Sequence, residues 1–410
     1  MPAHPPESAP RPSPPAPLTW VEISTGSLQH NVRTLRAVAA EGGRRPLTCA
    51  MVKGNAYGHG LVQAARAFVA GGVDWLGVAD VFEARDLRAA GIEVPLYAVC
   101  HVPAHQAAFA VAHDLRLTVY DRDVVDAVAA AARAHGKVAR VHIKLETGTN
   151  RQGLRHDDAV ALCQHVLASE GVALEGLSTH FADIEDTTDH RFAHAQLTRF
   201  QAGLSAVRQL LAAADRDPAA LLAHASNTAA VLLWPEVSLD LVRFGIGAYG
   251  LWPSKETFLS AQQLGRRPID LRPALTWKTQ IAQVKTVPAG EWVGYGRTFR
   301  AVRTTRLAIL PIGYYDGYDR RLSGVGQVLV GGQRAPVVGR VAMNMIAVDV
   351  TDSPVAAAGD EVVLLGAQSA PRPSGLSDEI TAGQIAGWLG SIHYEVVTRI
   401  HERIERRLVP

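Results

Sequence analysis

The chain has little cysteine, no long apolar run and no excess charge of either sign. Its 3 cysteines, Cys49, Cys100 and Cys163, are odd in number and far apart, which excludes the disulfide framework of a small secreted domain. We expect buried thiols in a reducing cytoplasm. No segment approaches the roughly 18 apolar residues of a membrane span. Because 41 basic residues face 39 acidic ones, we predict neither nucleic acid nor a membrane surface as a partner.

Metal-ligand clusters and a secretion signal are also lacking. The 16 histidines are scattered, and no close group of His, Cys, Asp and Glu has metal-ligand spacing, so we predict no bound metal. Residues 1–17 (MPAHPPESAPRPSPPAP) have no apolar centre, unlike a signal peptide. Their Pro/Ala-rich composition predicts a disordered tail without a readable role.

Short β-rich runs alternate with amphipathic helical patterns from about residue 45 to residue 250. We expect strands at Leu47–Lys53, Trp75–Ala79, Val94–Val99, Arg116–Tyr120, Ala139–Glu146, Leu174–Phe181, Leu221–Ala225 and Leu241–Ile246. Eight strands with helices between them predict an α/β fold, a (β/α)8 TIM-like barrel over residues 18–261. An open doubly wound sheet is the alternative.

The helical periodicity fades after about residue 262. Short alternating runs separated by Gly-rich turns take over, which predicts a mainly antiparallel β domain over residues 262–410. One helix is expected within it, at Thr381–Leu389. A strand near residues 18–24 is expected to pair with this domain before the chain enters the barrel.

The run Val52-Lys53-Gly54-Asn55-Ala56-Tyr57-Gly58-His59-Gly60 is the most informative segment. It places Lys53 after an apolar strand and before a glycine-rich turn. An amine held there is positioned to form an imine with an aldehyde, which is how a lysine holds pyridoxal phosphate. A solvated lysine at a strand end is the ordinary alternative.

Other polar residues lie near the ends of the predicted strands or just after them, where the active sites of such barrels are built. They are Lys144, Arg151, His180, Asn227, Thr228 and Arg243. The segment Ser226–Ala230 is typical of a helix start, where phosphate can bind, although an ordinary helix cap has the same pattern. Arg243 interrupts an apolar strand, so a buried partner is required, and a structural ion pair would also meet that requirement.

The nine-residue run resembles the pyridoxal-phosphate lysine signature of bacterial alanine racemases, with Gly54 where that family usually has Ala. The barrel-then-β plan is similar over about residues 18–405. The resemblance implies interconversion of L- and D-alanine with pyridoxal 5'-phosphate as cofactor. It also implies a small amino-acid substrate and a homodimer with active sites at the subunit interface.

The resemblance also implies individual roles. Lys53 would hold the cofactor and exchange the Cα proton on one face, and Tyr295 of the partner subunit would serve the other face. Further cofactor contacts are implied for Tyr57, Arg151, His180, Asn227, Thr228, Arg243, Gly245, Ile246 and Tyr394. The substrate would meet Arg151, Tyr314 and Met343. Lys144 matches a position that is carbamylated in many members.

Two segments depart from the family pattern. Glu146-Thr147-Gly148-Thr149 replaces the usual Asp-Thr-Gly-Met, and Asn344 replaces an Asp. The sequence leaves serine open as a substrate. It also leaves open whether the role is biosynthetic or catabolic. A basic-amino-acid decarboxylase of the same plan needs a C-terminal cysteine motif, and no cysteine follows Cys163. A non-enzymatic pyridoxal-phosphate-binding protein would lack the β domain.

Overall fold

The computed structural model describes residues 16–266, 268–353, 356–369 and 377–410. The predicted tail, residues 1–17, lies outside this range except for its last two residues. The chain forms two compact units. We call the first the barrel unit (Glu22–Leu275, Gly390–Glu402 and Arg406–Pro410) and the second the β unit (the described residues up to Val21, Thr276–Leu389 and Arg403–Glu405).

Nine strands lie between residue 16 and residue 266, the first continuous range that the structure describes. They are β1 (Thr19–Ser24), β2 (Leu47–Met51), β3 (Trp75–Val78), β4 (Leu96–Ala98), β5 (Leu115–Val119), β6 (Ala139–Lys144), β7 (Val172–Ser178), β8 (Leu222–His224) and β9 (Leu241–Phe244). Strands β2 to β9 form one parallel sheet in the order β8-β7-β6-β5-β4-β3-β2-β9.

The ends of this sheet meet. Strand β2 pairs with β3 on one side and with β9 on the other, with Cys49 opposite Arg243. Between β9 and β8, the Arg243 N–H donates to the Ser226 carbonyl at 3.0 Å, and the Asp240 N–H donates to the Ala223 carbonyl at 3.0 Å. The sheet is therefore a nearly closed barrel, so the (β/α)8 prediction is confirmed and the open doubly wound sheet is wrong.

In the same described range ten α-helices accompany these strands: α1 (Thr25–Ala40), α2 (Lys53–Tyr57), α3 (Leu61–Gly71), α4 (Val81–Ala89), α5 (Ala107–Ala112), α6 (Arg122–Ala134), α7 (His156–Ala168), α8 (Arg191–Ala213), α9 (Thr228–Leu233) and α10 (Lys255–Gln263). Several begin where a side chain accepts otherwise unpaired backbone N–H groups, as Asp80 does for α4 and Asp121 for α6. Such caps set where each helix begins after its strand.

The rest of the chain is mainly antiparallel β, as predicted. Its strands are β10 (Leu275–Gln280), β11 (Gln283–Val287), β12 (Trp292–Val293), β13 (Phe299–Arg300), β14 (Thr305–Leu310), β15 (Gln327–Val330), β16 (Gln333–Val338), β17 (Ile346–Asp349), β18 (Glu361–Ser369), β19 (Ser377–Ile380) and β20 (Glu405–Val409). The main sheet runs β11-β14-β17-β16-β15-β18-β10-β1-β20, with β19 beside β18.

Two helices lie near the C-terminus, α11 (Ala382–Leu389) and α12 (His393–Thr398). The first matches the predicted helix within one residue. The second is a correction, because its six residues are too few for helical periodicity to be recognised in the sequence. No helix in the described part of the chain is long and apolar enough to cross a membrane.

Candidate active site

The barrel unit contains a cavity of about 510 Å³ at the carboxyl ends of its strands. Loops after six of the eight strands contribute to its wall. The lining residues are Met51, Lys53, Tyr57, Val99, Cys100, Lys144, Arg151, Gln152, His180, Glu185, Asn227, Thr228, Arg243, Gly245 and Tyr394. The predicted polar residues of the barrel therefore meet in one place, as expected for side chains at this end of a barrel.

Lys53 lies in a left-handed turn. The strand was predicted to extend to Lys53 but ends at Met51, and the next residues have positive φ angles, 64° at Gly54 and 53° at both Asn55 and Ala56. Residues other than glycine adopt this conformation at a cost of roughly 1–2 kcal/mol each. The turn directs the chain abruptly away from the strand, which leaves Lys53 on the cavity wall.

Hydrogen bonds hold this turn in place. The Glu83 carboxylate accepts from the Gly54 N–H and from the Ala79 N–H, both at 2.7 Å, and so connects the turn to the end of β3. The Asn55 side chain accepts from the Leu61 N–H at 2.8 Å and caps α3. Strain of this kind persists only where the surroundings determine the conformation, and these bonds supply that determination.

Arg243 is the buried end of a hydrogen-bonded chain that crosses the barrel interior. Its Nη1 lies 2.6 Å from Nδ1 of His224, whose Nε2 lies 2.9 Å from Nδ1 of His142. The other ring nitrogen of His142 is 3.0 Å from the Glu175 carboxylate. That carboxylate also contacts Arg116 at 2.9 Å. We call the four residues Arg243, His224, His142 and Glu175 the barrel relay.

The hydrogen bonds of the barrel relay all run in one direction, from Arg243 as first donor to Glu175 as last acceptor. A guanidinium only donates, so Nδ1 of His224 accepts and its Nε2 carries the proton. By the same reasoning His142 accepts at Nδ1 and donates from Nε2 to Glu175. Burial lowers the pKa of both imidazoles, which keeps them neutral, as this arrangement requires.

Four of the five Arg243 donors are used inside the protein. Nη1 also donates to the His224 carbonyl at 3.2 Å, and Nη2 donates to the carbonyls of Thr179 and Ala225 at 2.8 and 3.1 Å. Within the described residues Nε–H has no acceptor, and Arg243 lines the cavity. A molecule in the cavity can therefore accept one hydrogen bond from a fixed cation.

Lys144 lies in the same cavity. Burial, followed by the charges of Arg243 and Arg151, lowers its pKa from 10.5 to about 7. Burial and the same cations lower the pKa of the His180 imidazole well below its usual value. The wall on this side therefore combines a permanent cation with an amine that is partly neutral near pH 7.

The loop that carries Arg151 folds around Glu146. Burial alone would raise the pKa of the Glu146 carboxyl, but the backbone N–H groups of residues 148–151 donate to it and hold the pKa below its usual value. The Gly148 N–H, for example, lies 2.5 Å from the carboxylate. Glu146, one of the departures from the family pattern, thus organises the Arg151 loop.

Another group of lining residues is rich in neutral donors. We define the donor corner as Tyr57, Asn227, Thr228, Gly245 and Tyr394, all of which line the cavity. Asn227 caps α9 by accepting from the Ala230 N–H at 3.0 Å, which leaves its amide NH₂ to donate. A Cβ atom on Gly245 would lie 3.2 Å from the Tyr57 hydroxyl, so glycine keeps this corner open.

Four of the predicted site residues do not line the cavity. Ile246 is fully buried beside Gly245 and is not part of the cavity wall. Tyr295, Tyr314 and Met343 belong to the β unit, where they are 77%, 43% and 54% exposed. The barrel unit alone thus contains the amine and the donors, while the predicted second base lies on the other unit.

Five lining residues were not predicted from the sequence: Met51, Val99, Cys100, Gln152 and Glu185. The first three end strands β2 and β4 or follow them directly, and this position is a signal that could have identified them. Glu185 lies in a polar loop after β7, in Ile184-Glu185-Asp186-Thr187. Nothing in that pattern distinguishes it from a solvated surface carboxylate.

Comparisons with known proteins agree with this geometry. The family described as alanine racemase, N-terminal domain, matches residues 23–253, and alanine racemase, C-terminal domain, matches residues 274–408. The alanine racemase of Desulfovibrio desulfuricans is 41% identical over 387 residues, which is 94% of this chain and 97% of that protein.

Two solved structures extend the comparison. Alanine racemase from the D-cycloserine producer Streptomyces lavendulae is 37% identical, with a TM-score of 0.84 over 97% of this chain and 98% of that one. Alanine racemase from Bartonella henselae, solved with covalently bound pyridoxal phosphate, is 25% identical, with a TM-score of 0.79 over 96% of this chain and 100% of that one. The matches to the two family domains together cover nearly the whole chain, as do the matches to the relative and to the two solved structures. The chain therefore belongs to the alanine racemase family.

Proposed function

We propose that this protein is a pyridoxal-phosphate-dependent racemase that interconverts L-alanine and D-alanine. The observation that carries the proposal is the meeting of Lys53, Arg243 and the donor corner in one cavity of about 510 Å³. An amine, a fixed cation and a set of phosphate donors are the three elements that this cofactor requires. Family membership makes racemisation the reaction that this arrangement serves.

The residues present fit the cofactor. The donor corner offers hydroxyl and amide donors to a phosphate, and Gly245 leaves room for it, since a Cβ there would crowd Tyr57. Lys53 lines the same cavity, where it would hold the aldehyde carbon. When bound, pyridoxal phosphate supplies an electron sink that makes the Cα proton of the amino acid labile.

Arg243 controls how strong that sink is. Its remaining Nε–H is a donor, so a ring nitrogen placed against it must accept and stay unprotonated. The barrel relay keeps the guanidinium oriented, and a permanent cation disfavours a second positive charge nearby. A weaker sink suits a reaction in which a proton is moved and nothing else, because it limits side reactions such as transamination.

Two groups on opposite faces would move the proton. Once substrate has displaced its amine, Lys53 is free to take or return the Cα proton on one face. For the other face we propose Tyr295 of the partner subunit, which in this chain is 77% exposed on the β unit. Arg151 would bind the substrate carboxylate, for which a guanidinium fork is suited, with Tyr314 and Met343 of the partner subunit closing the other side.

Lys144 would be carbamylated in the working enzyme. Its neutral amine attacks the carbon of CO₂, forms a nitrogen–carbon bond and loses one proton, which leaves a carbamate anion. The lowered pKa provides the neutral amine near pH 7. An anion between Arg151 and Arg243 would relieve the repulsion between cations at this wall.

A homodimer in the cytoplasm completes the proposal. The β unit exposes Tyr295, Tyr314, Met343 and Met345, a group of large side chains typical of an interaction surface. Turnover should therefore fall when the protein is diluted below its dimer dissociation constant, and an active monomer shown by light scattering would contradict this. The three thiols are unpaired, as in a reducing compartment.

The test is a solvent-deuterium exchange assay on purified protein with added pyridoxal phosphate. L-alanine, L-serine and L-lysine are offered separately, and Cα deuteration and the D-isomer are measured. We expect deuteration and D-alanine from L-alanine, with L-serine slower and L-lysine inert. Cofactor absorbance without exchange on any substrate would replace the racemase with a cofactor-binding protein.

A further inference from the structure

A carboxylate occupies the donor corner of the cavity. Glu185 lines the cavity, and one of its oxygens accepts from the Asn227 amide at 2.8 Å. The other oxygen accepts from the Tyr394 hydroxyl at 2.9 Å. Two of the donors that a phosphate needs are therefore already bound to an anion that belongs to the protein.

The main chain at Glu185 is held by hydrogen bonds that do not involve the carboxylate. The Glu185 carbonyl accepts from the hydroxyls of Ser254 and Thr257, the first of which caps α10. Among the described residues the hydrogen bonds of the carboxylate are those to Asn227 and Tyr394, and neither partner carries a positive charge. Rotation about the side-chain bonds would release both donors without moving the loop.

The charge of Glu185 is felt by the tyrosines of this corner. Burial, followed by the Glu185 charge, raises the pKa of Tyr57 and of Tyr394, so both remain protonated donors. Burial also raises the pKa of the Glu185 carboxyl. The corner is thus built to hold one anion against neutral donors, and a second anion there would be repelled.

We propose that Glu185 is an internal anion that competes with the cofactor phosphate for Asn227 and Tyr394, and that its side chain must turn away when the phosphate binds. This rests on the proposed phosphate position. The carboxylate keeps Asn227 and Tyr394 oriented before the cofactor arrives, and it lowers the affinity for any phosphorylated ligand. Pyridoxal, which lacks the phosphate, does not compete with it.

The experiment compares two ligands on full-length apoenzyme. Dissociation constants for pyridoxal phosphate and for pyridoxal are measured by absorbance titration, and their ratio isolates the phosphate contribution because both aldehydes react with Lys53. Glu185→Gln should raise the affinity for pyridoxal phosphate about tenfold, since a repelling charge is removed at contact distance. The affinity for pyridoxal should stay within about twofold.

Two further variants serve as controls. Asp186→Asn removes a charge from the neighbouring, exposed position and should leave the ratio as in the wild type. Glu185→Asp keeps the charge on a shorter side chain, so its ratio of the two dissociation constants should lie between those of the wild type and of Glu185→Gln. If Glu185→Gln does not fold, Glu185→Asp provides the test instead.

The outcomes separate the two proposals. If wild-type protein prefers pyridoxal phosphate but Glu185→Gln leaves the ratio unchanged or lowers it, the internal-anion role is wrong and the phosphate position stands. If neither wild-type protein nor Glu185→Gln prefers pyridoxal phosphate to pyridoxal, the phosphate position itself is wrong, and the role of Glu185 is overturned with it. If Asp186→Asn raises the affinity for pyridoxal phosphate as much as Glu185→Gln does, the effect comes from the net charge near the cavity and not from the position of Glu185.

Discussion

At the scale of single residues, the cavity holds two basic groups with different behaviour. Arg243 is a permanent cation because a guanidinium does not deprotonate near neutrality, and its hydrogen bonds fix where its charge lies. Lys144 shares the wall but has a pKa of about 7, so its charge depends on pH and on reaction with CO₂. The chemical state of Lys144 therefore sets the net charge that a substrate carboxylate meets.

Carbamylation of Lys144 should rise steeply with pH. Only the neutral amine reacts with CO₂, and it becomes the main form as pH rises through about 7. With ¹³C-bicarbonate in the buffer, a carbamate signal should be weak at pH 6 and strong at pH 8 by ¹³C NMR. Lys144→Gln should lack the signal at both values, and a signal that does not change over this interval would contradict the lowered pKa.

At the scale of elements, the left-handed turn after β2 and helix α12 depend on each other. Gly58 has a φ of 82°, and a Cβ atom there would overlap the Val397 carbonyl at the end of α12. Arg406 donates to the Gly58 carbonyl at 3.0 and 3.1 Å and adds a second tie. Helix α12 carries Tyr394, so this contact positions one of the phosphate donors.

Gly58→Ala should destabilise the fold by at least about 2 kcal/mol, because the new methyl group forces backbone apart in addition to the strain of positive φ. Gly91→Ala is the matched control, since its φ is 79° and nothing lies within 4 Å of the added Cβ. It should cost only about 1 kcal/mol. Urea unfolding of both variants measures the difference, and equal losses would show that the Val397 contact does not matter.

The barrel relay is a second element-scale device, because it connects Arg243 to three strands. His142→Phe removes the acceptor of His224 while keeping a flat ring. We expect Arg243 to lose its orientation, the ring nitrogen to gain a proton, and transamination with L-alanine to accelerate severalfold, as with other lost outer-shell supports.

Loss of the bound aldehyde absorbance during turnover measures this side reaction. Glu175→Gln is the control, since an amide oxygen still accepts from His142, and its rate should stay close to wild type. A His142→Phe enzyme that loses absorbance no faster than wild type would show that the relay does not position Arg243.

The sequence predicted the elements well and their junctions less well. Strand and helix positions follow from periodicity and caps. Polar residues near strand ends identified about half of the cavity wall, and the family resemblance added Tyr57, Gly245 and Tyr394. The full left-handed turn could not be predicted, because Ala56 and Tyr57, unlike Gly54 and Asn55, are not residues that signal positive φ. Glu185 could not be distinguished either, since its role depends on Tyr394, which is 209 residues away.

At the scale of the whole molecule, the proposed chemistry is divided between the two units. The cavity, Lys53 and the barrel relay belong to the barrel unit, and Tyr295 belongs to the β unit. If each active site combines the barrel unit of one subunit with the β unit of its partner, a chain with a defective barrel unit and a chain with a defective β unit should form a mixed dimer that has one intact active site. Two chains that are both defective in the barrel unit should form no intact active site.

Mixed dimers test this division. Lys53→Ala and Tyr295→Phe chains should each be inactive alone, but half of an equal mixture is heterodimer, in which one of two sites receives both intact residues. The rate of conversion of L-alanine to D-alanine should therefore recover to about a quarter of the wild-type rate. Lys53→Ala mixed with Arg243→Ala is the control, because both defects lie in the barrel unit and every site keeps at least one of them. Recovery in that control, or none in the first mixture, would place Tyr295 outside the partner's site.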